Sequence, residues 1–269
     1  MIARWRPVRS RLFTRLAVAF GGALLVAFGL AAANAVMPLR HTIRQEALDD
    51  LHDSAGILLA RIHDYLGERC ADLRIVASLV EGTRSDAGAD ARLARAREGS
   101  DAPWILLAIT DREGHPLAQS LPGPRSGSLL PAPSVSPGTM CSLDIRPDGK
   151  PVAVLDTPIA GAPGRRLVGL LDWQVIETMV RSSRVERVGP EAGAFLVLRD
   201  GVSGALLAGS WSNLAALQGL VEGPAEDNVP REVRLDNGRS YLVAEAGPAA
   251  AWEGAPALRV TAVRDPSFA

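Results

Sequence analysis

An uncharged apolar stretch near the N-terminus constrains the fold of this chain more than any other feature. Residues 16–39 contain no charged side chain, and about 20 apolar residues are enough for a helix to cross a bilayer. Five arginines precede the stretch, whereas only Arg40 and Arg44 follow it closely. Because positive charge is retained on the cytoplasmic side, the sequence predicts a membrane helix over residues 16–37. Residues 1–15 would then be cytoplasmic and the remainder extracytoplasmic.

A cleaved signal peptide is the alternative interpretation of this segment. Ala33, Asn34 and Ala35 offer an A-x-A cleavage site, and the arginine-rich flank suits a signal peptide. The stretch is longer than the usual apolar region of about 7–15 residues, which favours an uncleaved anchor. Under both interpretations, the residues after this segment are exported from the cytoplasm. The chain carries a net charge of −1 with five of its basic residues before the span, so the exported part is mildly acidic and unsuited to nucleic acid.

Apolar residues recur at helical spacing after the membrane segment. The positions that follow this three-and-four pattern are Leu48, Leu51, Ala55, Leu58, Ile62, Leu66, Cys70, Leu73 and Val76. The pattern predicts one long stalk helix over residues 38–81. A helix of that length reaches about 60 Å, which suits a stalk that a domain or a second copy packs along.

Two sets of strand candidates follow the stalk, each with a turn after its first strand. The first set comprises residues 104–110, 115–120, 140–145, 151–158 and 165–172. The second set comprises residues 195–199, 205–209, 231–235, 239–246 and 257–263. Residues 82–101 read as a loop or a short helix, and helices are expected at 173–184 and 213–221. The Gly189-Pro190 pair marks a boundary. The sequence thus predicts an α+β fold with a distal unit at 82–188 and a proximal unit at 189–269.

Three passages resemble the double Cache family, the PAS-like extracytoplasmic sensor domains of bacterial membrane receptors. Residues 106–118 read LLAITDREGHPLA and resemble the opening hairpin of the family, with its D-x-x-G turn. Residues 167–173, LVGLLDW, resemble the strand that enters the linking helix. Residues 241–244 with 258–266, which end in LRVTAVRDP, resemble the final hairpin of the proximal unit. The resemblance covers the anchor, the stalk and both strand sets.

The resemblance implies a sensor in the bacterial inner membrane. It would bind a small molecule or ion and pass a conformational signal to the membrane as a homodimer joined through its stalk and membrane helices. Family members typically continue through a second membrane helix into a histidine kinase, diguanylate cyclase or chemoreceptor signalling domain. These 269 residues are then the input half of such a receptor, a split gene product or a lone sensor. The alternative is an anchored adaptor that pairs with a membrane partner without sensing a ligand.

Ligand-binding candidates come from elements that PAS-like units bring together around the sheet. They are Trp104, Asp111, Arg125, Asp156, Asp172 and Trp173. Asp111 also suits a turn cap and Trp173 a core position. The distal unit lacks the Tyr/Arg/Trp set of amino-acid-binding members, and residues 121–138 are rich in Pro and Ser where many members carry a short helix. The resemblance therefore transfers no ligand class.

The two cysteines are candidates for a disulfide between stalk and sheet. Cys70 and Cys141 form an even pair in an exported chain. Two buried free thiols are the alternative, and a redox switch is a third interpretation.

Neither the histidine spacing nor any enzyme motif in the sequence indicates a catalytic or metal site. His41, His52 and His63 share a helical face with successive spacings of about 16 Å, which is too far for one metal. We expect a solvated face, and a pH-sensing stripe is the alternative. The sequence contains no nucleotide-binding, zinc-protease or nucleophile-elbow motif. We therefore expect no catalytic centre, cofactor or metal.

Overall fold

A computed structural model of the protein describes residues 8–81, 86–101, 103–121, 141–145, 151–183, 194–210, 230–234, 238–247 and 257–265. Its helices are α1 (Val8–Val80), α2 (Asp86–Glu98) and α3 (Gln174–Ser182). The first five strands are β1 (Trp104–Thr110), β2 (Pro116–Gln119), β3 (Cys141–Ile145), β4 (Pro151–Pro158) and β5 (Arg166–Leu171). The others are β6 (Ala194–Asp200), β7 (Leu206–Gly209), β8 (Arg231–Arg234), β9 (Ser240–Ala246) and β10 (Leu258–Arg264).

The chain divides into two compact units after Ala47. The first contains the N-terminal part of α1, which is long and apolar enough to cross a membrane. Its large side chains are exposed, among them Phe13, Phe20 and Phe28. A helix that is apolar on every side is typical of a membrane span, because the surrounding lipid covers its whole surface. Among the described residues, α1 is the single candidate for such a span.

The second unit begins with the remainder of α1, which supplies one side of its core. All nine positions of the predicted helical pattern, from Leu48 to Val76, are buried. The predicted amphipathic helix is thus confirmed. His63 is also buried, with 2% of its surface exposed. The solvated histidine face expected from the sequence is wrong at this position, because the body of the unit covers that side of the helix.

Two five-stranded antiparallel sheets complete the second unit. Their strand orders are β2-β1-β5-β4-β3 and β7-β6-β10-β9-β8, so the second sheet repeats the topology of the first. This confirms the predicted α+β fold with two PAS-like units in tandem. Every strand lies within two residues of its prediction. The helix predicted at 213–221 lies outside the described residues.

One face of the first sheet packs against α1 at a glycine. A Cβ built on Gly169 would lie 2.5 Å from Cζ3 of Trp104 and 3.0 Å from Cδ1 of Leu73, which belongs to α1. Only glycine therefore allows the ring and the helix to approach β5 this closely. The contact defines the α1 face of the first sheet.

Helix α3 links the two sheets. It packs against β6 and β7, and Ile176 and Val180 on its inner side are fully buried. Trp173, just before the helix, donates its indole Nε1–H to the carbonyl of Leu207 at 3.2 Å. The indole thus anchors the end of the distal unit to an edge strand of the proximal sheet.

Candidate functional site

The face of the first sheet opposite α1 carries a continuous apolar cluster. Its buried members are Leu106, Ala108, Val152, Val154 and Leu170. They share a side because Ala108 pairs with Val168 and Val154 with Leu170 across adjacent strands, and every second residue of a strand points the same way. We call this side the cluster face.

A partly buried ion pair lies at one end of the cluster face. Asp156 pairs with Val168 in the β4–β5 ladder and therefore belongs to this face. Nε and Nη2 of Arg166 each lie 2.7 Å from its Oδ2. Asp156 is 7% exposed. Thr110, also buried, lies opposite Arg166 in the β1–β5 ladder and adds a hydroxyl to the same end.

The second carboxylate oxygen of Asp156 has no such partner. Oδ1 is buried and makes no hydrogen bond to the residues that the structure describes. An unsatisfied buried acceptor costs about 1–3 kcal/mol, so native proteins seldom keep one without a compensating role. A ligand that donates a hydrogen bond or carries a cation would satisfy it. The arrangement therefore suits a hydrogen-bond donor placed beside an apolar surface.

The structure does not bring the other predicted residues to this face. Trp104 lies on the α1 face, where its ring covers Gly169. Trp173 is buried between the two sheets. Arg125 lies outside the described residues. Of the six candidates, only Asp156 is placed on the cluster face by the described part of the chain.

Asp111 holds the turn between β1 and β2. Its Oδ1 accepts the backbone N–H groups of Glu113 and His115 at 3.0 and 2.8 Å. Burial alone would raise the pKa of Asp111, but the hydrogen bonds and charge of His115 and the N–H of Glu113 outweigh it and lower that pKa. The Asp111, Glu113 and His115 ligand atoms lie within 4.8 Å of one another. Because the group is mostly exposed and Asp111 is occupied by the turn, it carries no metal assignment.

Asp172 belongs to a polar group on the α1 side. It accepts the backbone N–H of Gln174 at 2.9 Å, at the start of α3. Burial raises the pKa of Tyr65 on α1, while Arg69 opposes that rise and the negative charge of Asp172 adds to it. The guanidinium of Arg69 lies 5.4 Å from the centre of the Tyr65 ring. Asp172 is thus close enough to α1 to couple electrostatically to the stalk.

The structure describes only one of the two side chains of the predicted Cys70–Cys141 disulfide. Cys70 is buried on α1. Cys141 begins β3, but its side chain lies outside the described residues. The disulfide therefore stays a prediction.

Arg166 and Thr110 are the functional candidates that the sequence interpretation missed. Part of this arrangement could have been inferred from the sequence, because residues 151–158 and 165–172 were both predicted as strands. Pairing those strands as an antiparallel hairpin places an acid and an arginine near each other on one side.

Solved structures that resemble this chain include ligand-binding and sensor domains of membrane receptors. No protein-family model and no curated protein sequence matches it. The ligand-binding domain of the Pseudomonas fluorescens chemoreceptor CtaA, in complex with L-isoleucine, has a TM-score of 0.60 and 16% identity, over 85% of this chain and 96% of that one. The ligand-binding domain of the Pseudomonas aeruginosa PAO1 amino acid chemoreceptor PctB, in complex with L-Arg, has a TM-score of 0.58 and 16% identity, over 83% and 97%.

A histidine kinase domain extends the likeness beyond chemoreceptors. The sensor domain of the V. cholerae histidine kinase DctB has a TM-score of 0.55 and 12% identity, over 82% of this chain and 98% of that one. At such identities the likeness concerns the fold. The body of this chain therefore has the Cache-type fold of ligand-binding sensor domains from membrane receptors.

Proposed function

We propose that the chain is the input part of a membrane receptor and binds a small molecule on the cluster face of the distal unit. The observation that carries this proposal is the buried Asp156, held by Arg166 on one oxygen and unpartnered on the other among the described residues. The fold, shared with ligand-binding domains of chemoreceptors, supports it. Binding would then change α1, which leads from this unit to the membrane.

The composition of the face indicates the kind of ligand. Arg166 balances the charge of Asp156 through one carboxylate oxygen and leaves the other oxygen as an acceptor. The remaining acceptor requires a donor, and Leu106 and Leu170 offer apolar contact nearby. A molecule with an ammonium or hydroxyl group and an apolar part satisfies both requirements. Amino acids such as the L-isoleucine bound by CtaA have this combination.

Thermal unfolding of the full chain in nanodiscs tests the proposal. We expect at least one amino acid or related metabolite in a broad set to raise the unfolding temperature in proportion to its concentration, since a ligand that binds only the folded state stabilises it. If no compound in the set raises that temperature, the proposed sensing function is wrong.

The arrangement along the chain follows from the same proposal. Residues 1–15 would be cytoplasmic, 16–37 would cross the inner membrane, 38–81 would form the stalk, and 82–188 and 189–269 the distal and proximal units. The catalytic step of the pathway would belong to a kinase or cyclase domain, if the receptor has one, and this segment would supply the input. The absence of a catalytic motif and the buried Asp156 together favour binding over chemistry here.

The stalk is proposed to pair with a second copy. Ile57 and Ile75, separated by about five turns of α1, lie on one helical face, and Leu79 follows one turn later. Their side chains are 67%, 60% and 59% exposed. Large apolar side chains exposed along one helical face favour a partner helix. A homodimer is our proposal, and a different membrane partner would instead favour the adaptor function.

Cysteine crosslinking measures this pairing. An Ile75→Cys variant of the full chain in membranes should form a disulfide-linked dimer on mild oxidation, because equivalent residues of two paired helices lie close together. Val202→Cys is the matched control, since Val202 is 85% exposed but lies in a turn of the proximal unit. Equal crosslinking of both variants, or of neither, would contradict stalk pairing. A linked product with a different protein would favour the adaptor.

A further inference from the structure

The two sheets correspond residue by residue. Ser120 accepts the backbone N–H of Leu107 through its hydroxyl at 2.9 Å, and Ser210 does the same for Leu196 at 2.9 Å. In both sheets a bulge interrupts the first hairpin at the same distance from these residues. Leu107 in β1 is therefore equivalent to Leu196 in β6.

The two first turns support the same correspondence. Asp111 directly follows β1 and Asp200 is the last residue of β6, and each accepts the N–H of the residue two positions later, Glu113 or Val202. Burial alone would raise the pKa of Asp200, but hydrogen bonds from Ser203 and Val202 outweigh it and lower that pKa, as happens for Asp111. The repeat thus extends to the hydrogen bonds of individual side chains.

The strand pairings extend this equivalence to the residues of the candidate site, Asp156 and Arg166. Leu107 pairs with Gly169, and Leu196 pairs with Ala262. One step further along, Asp156 pairs with Val168 and Glu245 pairs with Thr261. Glu245 is therefore the proximal equivalent of Asp156. By the same register, Arg259 is the equivalent of Arg166, since these residues lie opposite Arg199 and Thr110.

The proximal pair, Glu245 and Arg259, is held less tightly than the distal pair, Asp156 and Arg166. Glu245 is 6% exposed, yet Nη1 of Arg259 and Nη2 of Arg231 both lie 3.9 Å from its oxygens. That distance is too long for a hydrogen bond, whereas the distal contacts are 2.7 Å. Thr261, opposite Glu245, is fully buried.

Three polar atoms of this group need a partner. Oε1 of Glu245, Oγ1 of Thr261 and Nε of Arg259 are buried, and none has a hydrogen-bond partner among the residues described. One is an acceptor, one a donor, and the hydroxyl serves as either. An apolar cluster, which includes Val243 and Val263, lies on the same face.

We propose that this proximal face is a second binding site, for a small carboxylate that bears a hydroxyl or ammonium group on the adjacent carbon. The buried Nε–H of Arg259, a charged donor with no hydrogen-bond partner among the residues described, would bind the ligand carboxylate. The adjacent donor would bind Oε1 of Glu245, and Thr261 would bridge the two ligand groups. The proposal rests on the proximal residues and holds whether or not the distal face binds a ligand.

Calorimetric titration of the full chain in nanodiscs with L-lactate and L-alanine tests this site. The titrations use an Asp156→Asn background, so that binding on the distal face is weakened. We expect saturable binding of at least one probe at millimolar concentration. Thr261→Val should weaken it on the order of tenfold or more, because the isosteric side chain lacks the hydroxyl. Thr261→Ser should retain it, and Glu245→Gln should weaken it as Thr261→Val does.

A stability readout separates binding from structure. Without a ligand, Thr261→Val should unfold at the same temperature as its parent or a higher one, because it removes an unsatisfied buried hydroxyl. Glu177→Gln, on the exposed side of α3, is the control and should bind the probes normally. The proposal is overturned if neither probe binds, which leaves buried water as the occupant, or if Thr261→Val and Glu245→Gln bind both probes as their parent does. Binding of a probe by the parent chain that is lost in the Asp156→Asn chain would also overturn the proposal, and it would support the distal site instead.

Discussion

Gly169→Ala is expected to lower the free energy of unfolding by about 1–3 kcal/mol, the usual cost of forcing an atom into a packed core. The added Cβ would lie 2.5 Å from Cζ3 of Trp104 and 3.0 Å from Cδ1 of Leu73. Neither neighbour can withdraw easily, since Trp104 and Leu73 are both buried. Strand β5 is central in its sheet, so the displacement would reach both adjacent strands. Urea unfolding of the detergent-solubilised chain, followed by circular dichroism, measures the change.

Two further variants make this prediction specific. Gly56→Ala should raise stability by up to about 1 kcal/mol, because alanine is the better helix former and no atom lies within 4 Å of a Cβ built on Gly56. Trp104→Leu combined with Gly169→Ala should cost less than the two single changes together, because the smaller side chain relieves the contact. A Gly169→Ala chain as stable as the parent would refute the packing of α1 and Trp104 on this face.

Asp156→Asn is expected to weaken binding of the distal ligand by roughly 10- to 100-fold, the range for a lost hydrogen bond to a charged group. The amide keeps the shape of the side chain but loses the charge that holds Arg166 and faces the ligand donor. L-isoleucine and L-arginine are the first probes, and calorimetric titration of the full chain measures the affinity. Asp64→Asn on the exposed side of α1 is the matched control and should bind normally.

The stability of the unliganded variant gives an independent check on Asp156. Loss of the ion pair with Arg166 should cost about 1–3 kcal/mol, because its hydrogen bonds to Asp156 are strengthened by the carboxylate charge. Unchanged affinity in Asp156→Asn, with reduced stability, would show that the pair is structural and would move the ligand elsewhere.

The fold was predictable from the sequence because its signals are local. Turn residues such as Asp111 and the Gly238 hairpin glycine, whose φ is +79°, separate strands of alternating or continuous apolar character. Helical spacing from Leu48 onward identified the buried side of α1. Each of these patterns depends only on neighbouring residues in the chain.

The candidate site was less predictable because it depends on register. Trp104 and Asp156 were expected on the same side, but a bulge between Trp104 and Leu106 inserts one residue and turns the ring toward α1. The partnership of Asp156 with Arg166 required the β4–β5 pairing. Glu245 was missed because its equivalence to Asp156 emerges only when the two sheets are aligned through their ladders.

Ligand-dependent crosslinking of the stalk tests the central claim, that occupancy of the distal face alters the helix leading to the membrane. The Ile75→Cys chain in membranes is oxidised with and without the amino acid that most stabilises the parent. We predict that the ligand changes the crosslinking rate and that the change disappears when Asp156→Asn is added. A rate that the bound ligand leaves unaltered would contradict a sensing role, even if binding itself were established.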